Sequence, residues 1–164
     1  MKAIAAMSQN RVIGKDKGLP WSSIKQDFKW FKEFTVGNTI IVGKNTFDTL
    51  PLLKNRECLV LIKEDPILDS YIENQYLVNN NSMTGQLVTM KDIESYSEFR
   101  KEYLIVAGGA KTYIKLLPYI DEFYVTHVTG SYEGDTFMPE FEHLFTNKET
   151  IKEFDGHKVI KYTK

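Results

Sequence analysis

Cysteine is almost absent: Cys58 is the only one in 164 residues, which excludes an internal disulfide and any metal site assembled from several thiolates. Without covalent staples the chain must hold itself by an apolar core, and its length suits one domain, residues 1–164, with one such core. Long apolar runs are missing too. Nothing approaches the ~18 consecutive apolar residues of a membrane-crossing helix, and MKAIAAMSQN at the start lacks the apolar stretch and cleavage site of a signal peptide. The expectation is a cytoplasmic protein. Charge of either sign is not in excess: 21 basic against 22 acidic residues give a formal net charge of -1, which offers no global attraction to nucleic acid or an anionic membrane. His127, His143 and His157 show no metal-ligand spacing, so no metal is assigned. No serine sits in a G-x-S-x-G context, which leaves nucleophilic hydrolysis little support. No internal repeat, linker or low-complexity stretch interrupts the chain.

What is present alternates strand-like and helix-like segments. KAIAAM predicts a short apolar strand, and Ser8 to Trp21, with Gly14, Gly18 and Pro20, a long loop. Ser23 with Gln26 predicts a capping box that starts a helix at Ile24 and runs to Phe34. TIIVG is a buried strand and KNTFDTL a short helix stopped by Pro51; CLVLI is another strand. Between Lys63 and Gln86 only a strand near Tyr76 to Val78 is read. LVT then leads into a helix near Asp92 to Lys101. YLIVA is a strand, Ala110 to Leu117 a helix, and EFYVTHV a strand with alternating faces. ETIKEF and HKVIKYT flank Asp155-Gly156, a preferred pair for a two-residue hairpin turn. Strands interleaved with helices predict an α/β sandwich: a central, mostly parallel sheet flanked by helices, with an antiparallel C-terminal hairpin.

Three features carry chemistry. Gly108-Gly109, between the strand YLIVA and a helix, lets backbone amides approach a phosphate, yet it is not the G-x-G-x-x-G fingerprint, and a simple tight turn fits it equally. Gly43-Lys44-Asn45-Thr46 follows a strand but lacks the spacing of an ATP-binding loop. Lys44, Lys63 and Lys111 lie at or just beyond strand ends; singly they read as solvated lysines, and together they can surround a phosphate-rich cofactor. The third feature is Asp27. Winding SSIKQDFKWFKEFT at about 100° per residue puts Ile24, Phe28, Phe31, Phe34 and Thr35 on one side, with Trp30 at its margin and Asp27 among them. A carboxylate there is either a first-turn acid that complements the helix dipole or the anchor of a flat, nitrogen-rich ligand whose N–H donors satisfy both oxygens. Cys58 reads as a small buried hydrophobe.

IAAMSQNRVIGKDKGLPW, DFKWFKEFT, IIVGKNTF, the Arg56 segment, IVAGGAKTY, and YVTHV followed by EGDT occur in an order and spacing by which the chain resembles the dihydrofolate reductase family over essentially its whole length. The resemblance implies NADPH-dependent reduction of 7,8-dihydrofolate to tetrahydrofolate, by hydride transfer to the pterin C6 and protonation of N5, in a monomer that antifolates would inhibit. Asp27 then matches the acid that binds the pterin, Thr126 a threonine that braces it, and Trp21 a tryptophan that holds a water near it. Ala6, Phe28, Phe31, Leu50 and Leu53 match the substrate cleft, and Arg56 the arginine that grips the α-carboxylate of the glutamate tail. Asn10 to Ser23 matches a mobile lid over nicotinamide. For the cofactor, Gly108 and Gly109 match glycines joined by a cis peptide at the pyrophosphate, Thr46 a second phosphate contact and Lys44 a cation at the 2'-phosphate. Ile13, Gly14, Gly43, Asn45, Ile62, Lys63, Ala107, Ala110, Lys111, Thr112 and Tyr113 complete the implied cofactor set. Three departures accompany the match: Trp21 to Asp27 is a six-residue step where many bacterial members have five, Lys44 stands where arginine is common, and the stretch between Lys63 and Gln86 is longer than in compact bacterial members. Two rivals remain at this level. One is a reductase of a different substrate on the same scaffold, which would not need Asp27 and Arg56 where they are; the other is a nucleotide- or pterin-binding protein without turnover.

Overall fold

Strands such as TIIVG, ECLVL and LIV contain too few polar residues to face water on either side. Successive side chains point to opposite faces of a sheet, so each such strand needs a covering layer above and below. The structure, a computed structural model, describes residues 1–63 and 77–164. In chain order the described elements are β1 (Lys2–Ser8), β2 (Val12–Gly14), α1 (Lys25–Thr35), β3 (Thr39–Gly43), α2 (Lys44–Thr49), β4 (Glu57–Leu61), β5 (Leu77–Asn79), β6 (Thr84–Val88), α3 (Met90–Arg100), β7 (Leu104–Val106), α4 (Ala110–Leu116), β8 (Glu122–Val128), β9 (Thr136–Phe137), β10 (Asn147–Phe154) and β11 (His157–Thr163).

Among the described residues nine strands form one sheet in the order β10-β11-β8-β1-β7-β3-β4-β6-β5. From β8 to β6 every neighbouring pair is parallel, and β11 adds antiparallel to β8, with β10 antiparallel to β11. This is the α/β architecture read from the sequence, with one addition: β5 pairs antiparallel with β6 and closes the opposite edge. Alternation sorts the core into two layers. Ala3, Ile41, Leu59, Val106, Phe123 and Val125 pack with Ile93 of α3 and Tyr113 and Leu116 of α4. On the other face Ile40, Val42, Cys58 and Val60 pack with Phe47 of α2, and Ile4, Ile105 and Tyr124 with Trp30, Phe31 and Phe34 of α1. Each fully buried branched or aromatic side chain contributes about 1.5–3 kcal/mol relative to exposure.

Three local expectations are corrected. The capping box of Ser23 with Gln26 does not form: Ile24 is the N-cap, without a side-chain cap bond, and its carbonyl accepts from the amides of Asp27 and Phe28. Ser23 is therefore one residue too early. A reciprocal capping box does form at α3, between Thr89 and Asp92. The loop expected over Ser8 to Trp21 contains β2, which pairs with β9 more than a hundred residues on. Phe28, assigned to the apolar side of α1, is 49% exposed. The strand read near Tyr76 to Val78 corresponds to β5, and Tyr76 lies outside the described residues.

The chain leaves β1 through α1 to reach β3 on one side, and leaves β7 through α4 to reach β8 on the other. Connections diverge between β1 and β7, and in a parallel sheet such a divergence opens a crevice at the carboxyl ends of the strands. Gly108 and Gly109 follow the carboxyl end of β7 there.

Candidate active site

Asp27 reaches its position because two elements meet. Thr126 pairs in register with Ala6 of β1 on one side and Val159 of β11 on the other. It is fully buried and, two residues from Tyr124, faces the α1 layer. Its hydroxyl donates to Asp27 Oδ1 at 2.6 Å. Burial pushes the Asp27 carboxyl above the ordinary carboxylate range, while the Thr126 bond and the charge of His157 pull it partly back. Oδ2 has no partner among the described residues. Ala6, half-buried, lies beside Thr126 by register. Trp21 is buried and meets Tyr132 edge-on, ring centroids 5.6 Å apart.

Apolar side chains and one guanidinium continue from Asp27. Phe31 and Leu50 are half-buried against the layer beneath α2, in which Leu53 is itself buried. Leu52, which no sequence pattern singled out, is 52% exposed. Arg56 Nη1 donates to Thr35 Oγ1 at 3.0 Å, and the Thr35 hydroxyl donates to the Phe31 carbonyl at 2.7 Å. Arg56 Nε donates to the Lys54 carbonyl at 3.2 Å. These bonds hold the guanidinium from behind and leave Nη2 without a partner among the described residues. Thr35 was read only as part of the apolar side; its signal is a hydroxyl in a last turn, which bonds back to the carbonyl four residues earlier and keeps a lone pair free.

At the crevice, the Gly43 amide donates to the Gly108 carbonyl at 2.8 Å, and Gly108-Gly109 is a cis peptide with Gly108 at φ +126°. A Cβ on Gly109 would stand 3.0 Å from Thr46 Oγ1, and one on Gly43 would stand 2.8 Å from Thr112 Oγ1. Side chains are thus excluded from a backbone cradle faced by two hydroxyls, which fits a phosphate-bearing group. Ala107 and Ala110 flank it, half-buried; Asn45, Lys63 and Lys111 are exposed, and Ile62 is half-buried. Lys44 pairs with Asp48, a residue the sequence reading passed over. Tyr113, buried, donates its hydroxyl to the Ile4 carbonyl at 2.7 Å, and burial pushes its phenol upward.

The segment after β1 is tied to residues 130–137. Asn10 Nδ2 donates to the Tyr132 carbonyl at 2.8 Å, and the Tyr132 amide donates to Asn10 Oδ1 at 3.1 Å. The Asp135 amide donates to the Gly14 carbonyl at 3.1 Å, and the Asp16 amide to Asp135 Oδ2 at 2.9 Å. Lys15 pairs with Glu133 at 3.2 Å. Ile13 packs partly against the core. No pattern in the sequence linked these two segments.

With this geometry in view, residues 1–163 match the family model described as dihydrofolate reductase. The dihydrofolate reductase of Bacillus subtilis (strain 168) is 34% identical over 140 residues, 85% of this chain and 75% of that protein. The dihydrofolate reductase type 8 of Escherichia coli is 30% identical over 166 aligned residues, covering 100% of this chain and 95% of its own length. Among solved structures, the dihydrofolate reductase from Enterococcus faecalis complexed with NADP(H) and RAB-propyl superposes with a TM-score of 0.75 at 27% identity, over 99% of this chain and 94% of that one.

Proposed function

Since the chain belongs to the dihydrofolate reductase family, it is an NADPH-dependent oxidoreductase that reduces 7,8-dihydrofolate to tetrahydrofolate, and we propose how its residues carry that reaction. The observation that carries the proposal is the Thr126–Asp27 bond, which fixes one carboxylate oxygen and leaves the other open. Asp27 receives the pterin's ring N–H and 2-amino group as a two-point acceptor. Thr126 sets its orientation, and Trp21 holds a water beside it. Ala6, Phe28, Phe31, Leu50 and Leu53 line the path of the substrate, and the free edge of the Arg56 guanidinium takes the α-carboxylate of its glutamate tail.

The cofactor supplies the hydride for the pterin C6. Gly43, Gly108 and Gly109 with Thr46 and Thr112 hold its phosphates, with Ala107, Ala110 and Tyr113 behind them. Ile13, Gly14, Asn45 and Ile62 border it, and Lys44, Lys63 and Lys111 supply cations. Asp27 binds the ring edge away from N5 and raises the proton affinity of the bound pterin, so that a water delivers the N5 proton. Residues 10–23 form the lid that excludes bulk water during transfer, pinned by 130–137. We further propose that the protein acts as a cytoplasmic monomer and binds flat, amino-substituted antifolates through Asp27. The decisive measurement follows NADPH oxidation spectrophotometrically with dihydrofolate. Turnover supports this reading; NADPH binding without turnover would favour a binding protein, and turnover only with another reducible heterocycle would favour a different reductase.

A further inference from the structure

Lys44 and Asp48 begin and nearly end α2, four residues apart, and their side chains form an ion pair, each about half exposed at 46%. Neither charge suits the helix. The dipole makes the first turn positive and the last turn negative, so a leading lysine and a trailing aspartate are both opposed by it. Lysine preceding the acid is also the weaker order for such a pair, and an exposed pair contributes close to nothing to folding. The stability of α2 therefore does not account for the arrangement. Its surroundings do. Gly43, just before Lys44, is bonded to Gly108, and Thr46, two residues on, faces Gly109, so Lys44 stands at the rim of the cradle assigned to the cofactor's phosphates.

Resting on the proposed function, with Lys44 as the cation that the resemblance implies for the cofactor's 2'-phosphate, we propose that Asp48 is a specificity-determining residue that weakens the preference for NADPH over NADH. One ammonium is offered to two anions. When the 2'-phosphate arrives, it must draw Lys44 from Asp48, which costs the ion pair, or share it, which sets carboxylate and phosphate on one ammonium where they repel each other. NADH carries a neutral hydroxyl at that position and keeps only the pyrophosphate that both cofactors share, so competition with Asp48 for Lys44 falls on NADPH alone. The pair thus acts as a built-in counter-ion that sets how much of the phosphate's charge the site can use.

The test is equilibrium binding of NADPH and of NADH, followed by calorimetry without substrate, on the wild-type chain, Asp48→Asn, Lys44→Gln and the double variant. At low ionic strength Asp48→Asn should tighten NADPH by about threefold to tenfold and move NADH by less than about twofold, the scale of one half-exposed charge. The gain should vanish in the Lys44→Gln background, because the two substitutions share one interaction, and it should shrink at about 0.5 M salt. Equal tightening of both cofactors, no tightening of NADPH, or a gain that survives Lys44→Gln would overturn the role of Asp48. A wild-type chain that binds neither cofactor overturns the phosphate assignment and this inference together, whereas tight NADPH binding unaffected by Asp48→Asn overturns this inference alone.

Discussion

Burial and the Thr126 hydroxyl act on the Asp27 carboxyl in opposite directions, and burial wins, leaving its pKa above the ordinary value. The folded state then holds the Asp27 proton more tightly than the unfolded state. Stability from this group is present at low pH and is lost as pH rises through the unfolded value, about 3.9, and then the raised folded one. Asp27→Asn removes the buried charge and keeps an oxygen for Thr126 to donate to. Without ligand the variant should melt higher than wild type at pH 7, with the difference shrinking toward nothing as the solution is taken below pH ~4. Catalysis should run the other way. The variant must use dihydrofolate protonated in solution, so kcat/KM should fall at least about a hundredfold at pH 7, the scale of acid-base assistance, and recover markedly by pH 5. Parallel pH profiles for the two proteins would rule out the protonation role and leave positioning alone. Arg56 is tested by Arg56→Leu, which should raise KM for dihydrofolate at least about tenfold and change kcat far less, since the contact is remote from the reacting atoms. An unchanged KM would remove Arg56 from the site. Asp27 stood out in the sequence because charge against an apolar helical side is a local pattern. Thr35 and Asp48 did not, because their meaning lies in what they touch, one an arginine of the segment between α2 and β4 and the other a lysine whose importance depends on the cradle beside it.

Local chemistry explains which elements were legible. Asp155 and Gly156 both take left-handed backbone, φ +49° and +78°, as a two-residue turn between twisted strands demands, and β10 and β11 pair across it along their length, with a bulge between Thr150 and Lys152. The strand EFYVTHV was read at its observed boundaries because its apolar content allows nothing else. The β2–β9 pair was invisible, being two short strands with no periodicity of their own, joined only by the fold. That pair is where the proposed lid would be fastened, and Gly134 permits the pairing by closeness. A Cβ there would collide with the Val12 side chain and stand 2.6 Å from the Gly14 carbonyl. Gly134→Ala should therefore push β2 off its partner, and with it the Gly14–Asp135 and Asp16–Asp135 bonds. Amides of residues 12 to 16 should exchange hydrogen faster while those of β1 stay protected, and turnover should fall roughly fivefold to twentyfold, the scale of one or two partly screened hydrogen bonds. Unchanged exchange in that segment would show that residues 130–137 do not pin the lid.

At the scale of the whole molecule, neither the order of strands nor the crevice between β1 and β7 follows from any one segment, since both depend on which way α1 and α4 cross the sheet. The alternating apolar pattern established the sandwich; the divergence that makes a binding site emerged only with the sheet order. The same divergence makes cofactor binding a matter of global stability. The cradle proposed for it draws on the loop after β7, the start of α2 and Thr112 of α4, which together span both layers, so a ligand held there would bind the folded chain and not the unfolded one. NADPH at about a hundred times its Kd should add about 2.7 kcal/mol to unfolding, which for a chain of this size raises Tm by roughly 5–10 °C. NADH at the same concentration should raise it less, because the lysines at the rim gain no 2'-phosphate. Gly109→Ala places a methyl 3.0 Å from Thr46 Oγ1, inside the space proposed for the phosphates, and should abolish most of the NADPH-dependent rise, whatever it does to the Tm of the free protein. Thermal melts with and without each nucleotide check this directly. A full NADPH-dependent rise in Gly109→Ala would place the phosphates away from Gly109, because a ligand seated on that glycine cannot share the space with a side chain.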